Sequence, residues 1–211
     1  TNIYATSLTA DIKDNKINFL VNVKDINNKN KYRFGGLFEQ PRQAIYALKL
    51  YPDSLMLNYD KWSIANDNII RLNNGDVNVS NFAITRGRQQ LSINSKSQEG
   101  NSPMDIRLTD FRIATITAFV KQDTAIVDGI LNGTAMIKNI ATQPMFTSDI
   151  TVTDLMVRAD TVGNLAMKVN NTSENIYNAD ITLTGKGNDI AINGNYQVKP
   201  AGQSTVALKL D

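Results

Sequence analysis

The sequence predicts an all-β protein built on a mostly antiparallel sheet, with one short helix near residues 111–121. Three observations predict this fold. Apolar and polar residues alternate along most of the chain, which is the period of a strand with one buried face. Turn-forming residues recur between the alternating segments. The 211 residues also include 26 Asn and 22 Ile, which pairs a turn former with a strand former.

In the first half of the chain, the alternation is clearest at residues 17–24, 77–80, 90–94 and 104–109. One face of each segment is apolar and the other is polar. This pattern is typical of an antiparallel sheet with one wet face rather than a parallel sheet covered by helices. Asn74-Gly75 separates two such segments and predicts a tight hairpin, because both residues tolerate positive φ.

The second half continues the alternation at residues 146–153, 165–170, 190–193 and 206–211. Turn residues again lie between the segments, among them Asn193-Gly194, which predicts another two-residue hairpin. The strands of the second half are therefore expected to extend the same one-sided sheet.

Residues 111–120 interrupt the alternation. Ile113, Ile116 and Phe119 are spaced like one face of a helix, and Asp110 precedes them as a candidate N-cap. We predict a short helix near 111–121, and a strand buried on both faces is the alternative.

The chain is expected to form a single elongated domain over residues 1–211. The Asn/Ser/Gly-rich stretch at residues 95–102 is the best candidate for a sub-boundary, and a long hairpin loop explains it equally well.

Composition excludes several functional classes. With Lys+Arg 22 against Asp+Glu 20, the net charge of +2 is too balanced for a nucleic-acid partner. His and Cys are both absent, which removes imidazole bases, thiol nucleophiles and the common zinc ligands. Asp149, Asp154 and Asp160 supply carboxylates, but Asp154 and Asp160 flank the end of an apolar strand, where turn residues are expected. We predict no catalytic residue, no metal site, no cofactor and no enzymatic activity.

A sheet with one apolar face must cover that face. It can pack against a second sheet, fold on itself as a barrel or trough, or hold an apolar ligand. Acyl chains would need a continuous aliphatic wall of the same pattern. Periodicity does not separate these possibilities.

Two segments together resemble a known family. Gly129-Ile-Leu-Asn-Gly133, Pro144-Met-Phe146 and Asp160-Thr-Val-Gly163-Asn-Leu165 resemble the repeated unit of the TamB/AsmA-like envelope proteins of Gram-negative bacteria. In that unit, two glycines precede one strand, Pro-x-Phe opens the next, and Asp-x-x-Gly-x-Leu opens a third. Residues 52–94 and 179–198 are similar to other strand-rich units of this family.

The resemblance implies an elongated, bent sheet with a U-shaped apolar groove, often called a β-taco. It implies an internal periplasmic fragment of a protein anchored in the inner membrane, which takes part in phospholipid transport and outer-membrane assembly. Phospholipid acyl chains would be its partners, and parts of the protein outside this chain would bind an Omp85-type outer-membrane protein. The inward members of the cleanest strands would then line the groove: Val77, Val79, Leu91, Ile93, Phe146, Ile150, Val152, Leu165, Met167, Ile190 and Ile192.

Two alternatives stay open. The first is a carrier like the lipopolysaccharide bridge, with a similar architecture and a different lipid. The second is a structural or adhesin-type β-solenoid whose apolar face is packed against itself and binds no ligand. A polysaccharide-acting β-helix enzyme is disfavoured, because no acid/base constellation is evident.

Overall fold

The computed structural model describes residues 3–120, 126–140, 142–158, 160–173, 175–199 and 204–210. The elements within these residues are β1 (Ile3–Lys13), β2 (Lys16–Asp25), β3 (Asn30–Arg42), β4 (Ile45–Leu50), β5 (Leu55–Leu57), β6 (Asp60–Ile64), β7 (Ile69–Asn73), β8 (Asp76–Ser80), β9 (Phe82–Arg86), β10 (Gln89–Ser95), β11 (Met104–Arg112), α1 (Ile113–Val120), β12 (Val127–Lys138), β13 (Met145–Val157), β14 (Asp160–Ser173), β15 (Ile176–Gly185), β16 (Asn188–Gln197) and β17 (Thr205–Leu210).

These strands form one open antiparallel sheet, mostly by pairing with their neighbours in the chain. Two interruptions complicate the first half. β4 and β5 lie end to end along β3, separated by residues 51–54. β7 and β6 lie end to end along β8 and β9, separated by residues 65–68. From β9 to β17 each strand pairs with the next, so the second half is an uninterrupted meander.

The predicted all-β class, the elongated open sheet and the short helix are confirmed. The stretch at residues 96–103 connects β10 to β11, and these two strands pair directly from Gln90↔Thr109 to Ser95↔Met104. The strands on the two sides of this stretch therefore belong to the same sheet.

The start of the helix differs from the prediction. Phe111 lies in β11, and Asp110 is not the N-cap: its φ of 46° places it in a bulge of that strand. The Asp110 backbone N–H donates to Asn132 Oδ1 at 2.8 Å. Asp128, on β12, instead accepts the N–H of Ala114 in the first turn of α1, at 3.2 Å. The cap comes from a strand distant in sequence, which local spacing does not reveal.

One of the two predicted hairpins is confirmed and the other is wrong. Asn74 and Gly75 join β7 to β8 with φ values of 47° and 91°. Asn193 and Gly194 lie inside β16. A Cβ on Gly194 would lie 2.1 Å from the Ala207 carbonyl oxygen, so glycine permits the close approach of β17 rather than a turn.

Asn side chains also replace missing partners inside the sheet. Asn68 Oδ1 accepts the Leu50 N–H at 2.9 Å, and its Nδ2 donates to the Leu50 carbonyl at 2.8 Å. The Asn171 side chain likewise accepts a hydrogen bond from the Phe146 N–H and donates one to the Pro144 carbonyl. Because unpaired buried backbone groups are costly, these amides allow strands to be interrupted, as at Asn68, or to bulge, as at Asn171, without losing hydrogen bonds.

Candidate functional site

The register of the strands gathers apolar side chains on one side of the sheet, which we call the apolar face. Directly opposite partners point to the same side of an antiparallel pair. In the second half, Ile150 lies opposite Met167, which in turn lies opposite Ile181. Ile181 is opposite Ile192, so four successive strands contribute one row of aliphatic side chains.

All seven predicted lining residues of the second half lie on this face. Val152 pairs with Leu165, beside the row formed by Ile150, Met167 and Ile192. The remaining two occupy neighbouring positions on the same side: Phe146 lies opposite Ile137, and Ile190 lies opposite Leu183. The structure therefore brings these seven residues together.

The four predicted residues of the first half also point to this side. Leu91 lies between Ile84 and Leu108, and Ile93 lies between Phe82 and Ile106. Val77 and Val79, on β8, lie opposite Leu72 and Ile70. They form a separate group beside β4 and β7, while Leu91 packs against the central core.

The apolar face also includes residues that the predicted lining omitted. The alternation at residues 17–24 and 206–211 marks them, but it was used only to place strands. These additional residues, together with register partners of the predicted ones, include Leu8, Ile12, Ile17, Phe19, Val21, Phe34, Phe38, Leu48, Ile70, Leu183, Val206, Leu208 and Leu210.

Burial on the apolar face falls from its centre towards both edges of the sheet. Near the centre, Trp62 and Val152 are each 3% exposed. Further out Ile190 is 36% exposed, and on the last described strand Leu208 is 62% exposed. On the first strand Ile12 reaches 73%. The face is packed in the middle and open to solvent at both edges.

The centre of the face is a small hydrophobic core. Leu55, Trp62, Ile64, Ile84 and Phe111 form a buried cluster, contributed by β5, β6, β9 and β11. β6 and β11 are three strand spacings apart, which is about 14 Å along a flat sheet. The rings of Trp62 and Phe111 nevertheless approach to 5.6 Å between centroids. Side chains from such distant strands meet on the concave side of a curved sheet, so the apolar face is concave here.

One polar atom in this core lacks a partner. Trp62 Nε1 is buried and makes no hydrogen bond. An unsatisfied buried N–H costs about 1–3 kcal/mol, so the packed arrangement is less stable than an all-carbon ring of similar shape would allow.

A line of residues with positive φ crosses the sheet from β11 to β14. They are Asp110, Gly129, Asp154 and Gly163. The ladder shifts register beside all four, which marks bulges, and bulges increase the bend of a sheet. A Cβ on Gly163 would lie 2.2 Å from the Thr184 carbonyl oxygen, so glycine is required there. Gly129 and Gly133 both lie within β12 rather than before it.

Asp128 connects this bent region to the helix. It accepts hydrogen bonds from the Gly129 N–H at 2.8 Å and the Ala114 N–H at 3.2 Å, and it forms an ion pair with Arg112. Partial burial by itself raises the pKa of Asp128. The Arg112 guanidinium and the two N–H donors outweigh it, so the pKa lies below its ordinary value.

The opposite side of the sheet is polar. Asp149 and Lys168 lie directly opposite each other in the ladder, with 3.7 Å between Oδ2 and Nζ. Lys16 and Glu39 form a similar pair at 3.4 Å. Such exposed pairs contribute about 0–1 kcal/mol each, so this side is solvated rather than packed.

The carboxylates considered for catalysis, those of Asp149, Asp154 and Asp160, do not belong to a group of side chains that could hold a metal ion. In the part of the chain that the structure describes, no group of three His, Cys, Asp or Glu side chains is placed to hold a metal ion. Asp149 faces Lys168, and Asp154 occupies a bulge whose backbone N–H donates to Asn164 at 3.1 Å.

The one helix found among the described residues, α1, has eight residues, and no helix in that part of the chain has the length and hydropathy to span a bilayer. Comparison with known proteins adds no relative: no protein-family model, no curated protein and no solved structure matches this chain. The resemblance to the TamB/AsmA-like family therefore stays a prediction.

Proposed function

We propose that the apolar face binds phospholipid acyl chains and conducts them along the sheet, as a segment of a TamB/AsmA-like protein of the Gram-negative periplasm. The observation that carries this proposal is the continuous apolar register from strand to strand, together with exposed fractions of 62% at Leu208 and 73% at Ile12. A face of this kind leaves large apolar side chains in water unless something covers them.

The chemistry of the face suits an acyl chain. Across β13 to β16 the rows are mostly aliphatic, with Ile150, Met167, Ile181 and Ile192 in succession. Each methylene group moved out of water contributes about 0.8 kcal/mol, so contact along several methylene groups would hold an acyl tail on the face. The attraction is non-directional, which lets a chain slide without breaking specific bonds.

The polar side would keep its contacts with water while the tail moves. Charged pairs such as Asp149–Lys168 lie on that side, away from the proposed path. The headgroup would stay in solvent at the margin of the face. No residue performs a chemical step in this proposal, and association with an Omp85-type protein through other parts of the protein remains a prediction.

The test is to purify the chain after export to the periplasm of a Gram-negative bacterium and to identify extracted lipid by mass spectrometry. Phospholipid at a fixed ratio to protein would support the proposal. Lipopolysaccharide would favour the bridge-like carrier instead. Protein that is folded and carries neither lipid would favour a β-solenoid packed against itself.

A matched variant makes the test specific. Leu208→Asp places a charge on the exposed end of the apolar face, and Ala207→Asp places the same charge on the other side of β17. Copurified phospholipid should fall in the first variant and persist in the second. Equal amounts in both would contradict binding on the apolar face.

A further inference from the structure

The apolar face is not uniform along its length, because its centre is filled by the protein itself. Trp62 and Phe111 are 3% and 4% exposed, and their rings pack across the concave side at 5.6 Å. Leu55, Ile64 and Ile84 complete the cluster. On one side of it lie β1–β3, and on the other lie β12–β17.

The cluster lies across one of the two routes between these parts. The route over β5, β6, β9, β10 and β11, which are joined in this order by their ladders, passes the cluster. The other route, over β4, β7 and β8, lies beside it. The Trp62 and Phe111 rings meet above the two strands between β6 and β11. Space that an acyl tail would need is taken by these rings.

The unsatisfied indole N–H is a second, independent observation about the same pair. Trp62 Nε1 has no hydrogen-bond partner in the packed arrangement, although buried polar groups are nearly always satisfied. If the rings separate, the N–H can reach water or the ester carbonyl of a lipid. The unpaired N–H therefore destabilises the packed arrangement, and separation of the two rings would remove this cost.

We propose that Trp62 and Phe111 form a closure on the route that crosses β5, β6 and β9 between the two parts of the apolar face, and that acyl chains pass along this route only when the two rings separate. This inference rests on the proposed function. Trp62 and Phe111 would control the passage of acyl chains, and the exposed apolar residues on the two sides of the cluster would bind them.

The chain offers a direct reporter, because Trp62 is the single Trp. Vesicles of phosphatidylcholine carrying a dibrominated stearoyl chain would be added to the full 211-residue chain, and quenching of tryptophan fluorescence by bromine would be measured. In the wild type the packed rings should keep quenching weak. In Phe111→Ala the quenching constant should rise severalfold, because the tail reaches the indole.

Ile130→Ala is the matched control. Ile130 lies on the other side of the sheet, opposite Thr153, and is 38% exposed. It should leave the quenching of Trp62 unchanged. Circular dichroism checks that each variant is folded, and Phe111→Leu replaces Phe111→Ala if the smaller side chain prevents folding.

The outcomes separate the closure from the proposed function. Binding of radiolabelled phospholipid is measured in parallel. If neither the wild type nor any variant binds lipid, the proposed function fails and this inference fails with it. If lipid binds, but the wild type is quenched as strongly as Phe111→Ala, or Ile130→Ala matches Phe111→Ala, the closure is refuted while the proposed function stands.

Trp62→Phe gives a readout that needs no lipid. It keeps an aromatic ring beside Phe111 and removes the unpaired N–H. The smaller ring leaves a cavity that costs stability, and removal of the unpaired N–H offsets part of that cost, so we expect its urea midpoint to fall by less than that of Phe111→Ala. A fall equal to or larger than that of Phe111→Ala would overturn the argument from the unsatisfied N–H.

Discussion

An aspartate placed on the apolar face should have very different effects at the buried centre and at the exposed edge. Val152 is 3% exposed and lies between Leu131 and Leu165 in the ladder. Leu208, on the last described strand, is 62% exposed. The pair Val152→Asp and Leu208→Asp therefore tests whether the face is packed or open at each place.

The expected magnitudes follow from burial. Losing a buried valine side chain costs about 1.5–3 kcal/mol, and an unpaired carboxylate in its place adds several kcal/mol. A total of about 5 kcal/mol or more is comparable with the whole stability of a typical domain, so Val152→Asp should unfold the chain or nearly so. Leu208 is mostly in water already, so Leu208→Asp should cost about 1 kcal/mol or less.

Urea denaturation followed by circular dichroism measures both effects, and phospholipid binding is measured on the folded variants. Leu208→Asp should remain folded and lose affinity for phospholipid. Ala207→Asp, on the other side of β17, should change neither property. If Leu208→Asp unfolds the chain as Val152→Asp does, the outer strands are packed and the reasoning from exposure is refuted.

Three further predictions concern the bends and polar contacts that shape the sheet. Gly163→Ala should lower the free energy of unfolding, measured in urea, by about 2–3 kcal/mol, because Gly163 has a φ of 131° and the added Cβ would lie 2.2 Å from a carbonyl oxygen. Gly187→Ala, where the added Cβ meets open space, should cost less. Asn171→Ala should cost about 1–3 kcal/mol by leaving the Phe146 N–H unpaired, and faster amide hydrogen exchange at Phe146 should accompany it. The lowered pKa of Asp128 means that its contribution is complete at neutral pH and is lost as the pH falls below about 4, so Asp128→Asn should flatten the acid limb of a stability–pH curve; an unchanged acid limb would contradict this assignment.

The strands were predictable because their signal is local. A period of two along residues 146–153 or 206–211 reports which side chains share a face, whatever strand lies beside them. The same local signal found α1 through the spacing of Ile113 and Ile116. It placed Phe111 on the helix wrongly, because the bulge at Asp110 depends on Asn132 of a neighbouring strand.

Features that depend on distant pairs were not predictable in the same way. Trp62 and Phe111 are far apart in sequence, and only the curvature of the sheet brings their rings together. The Asn-Gly pattern predicted Gly194 to be a turn residue, but it lies within β16, where glycine permits the close approach of β17. The abundance of Asn was attributed to turns, but Asn68 and Asn171 also complete hydrogen bonds where a strand is interrupted or bulges.

The most direct test of lipid binding on the apolar face is to map where a phospholipid contacts the chain. A phosphatidylethanolamine with a diazirine in its acyl chain would be photolysed with the purified protein, and the labelled residues would be identified by peptide mass spectrometry. We predict labelling at exposed positions of the apolar face, such as Leu8, Ile190 and Leu208, and none at Ala207 or Lys168 on the other side. Labelling spread equally over both sides, or absent from the apolar face, would contradict the account.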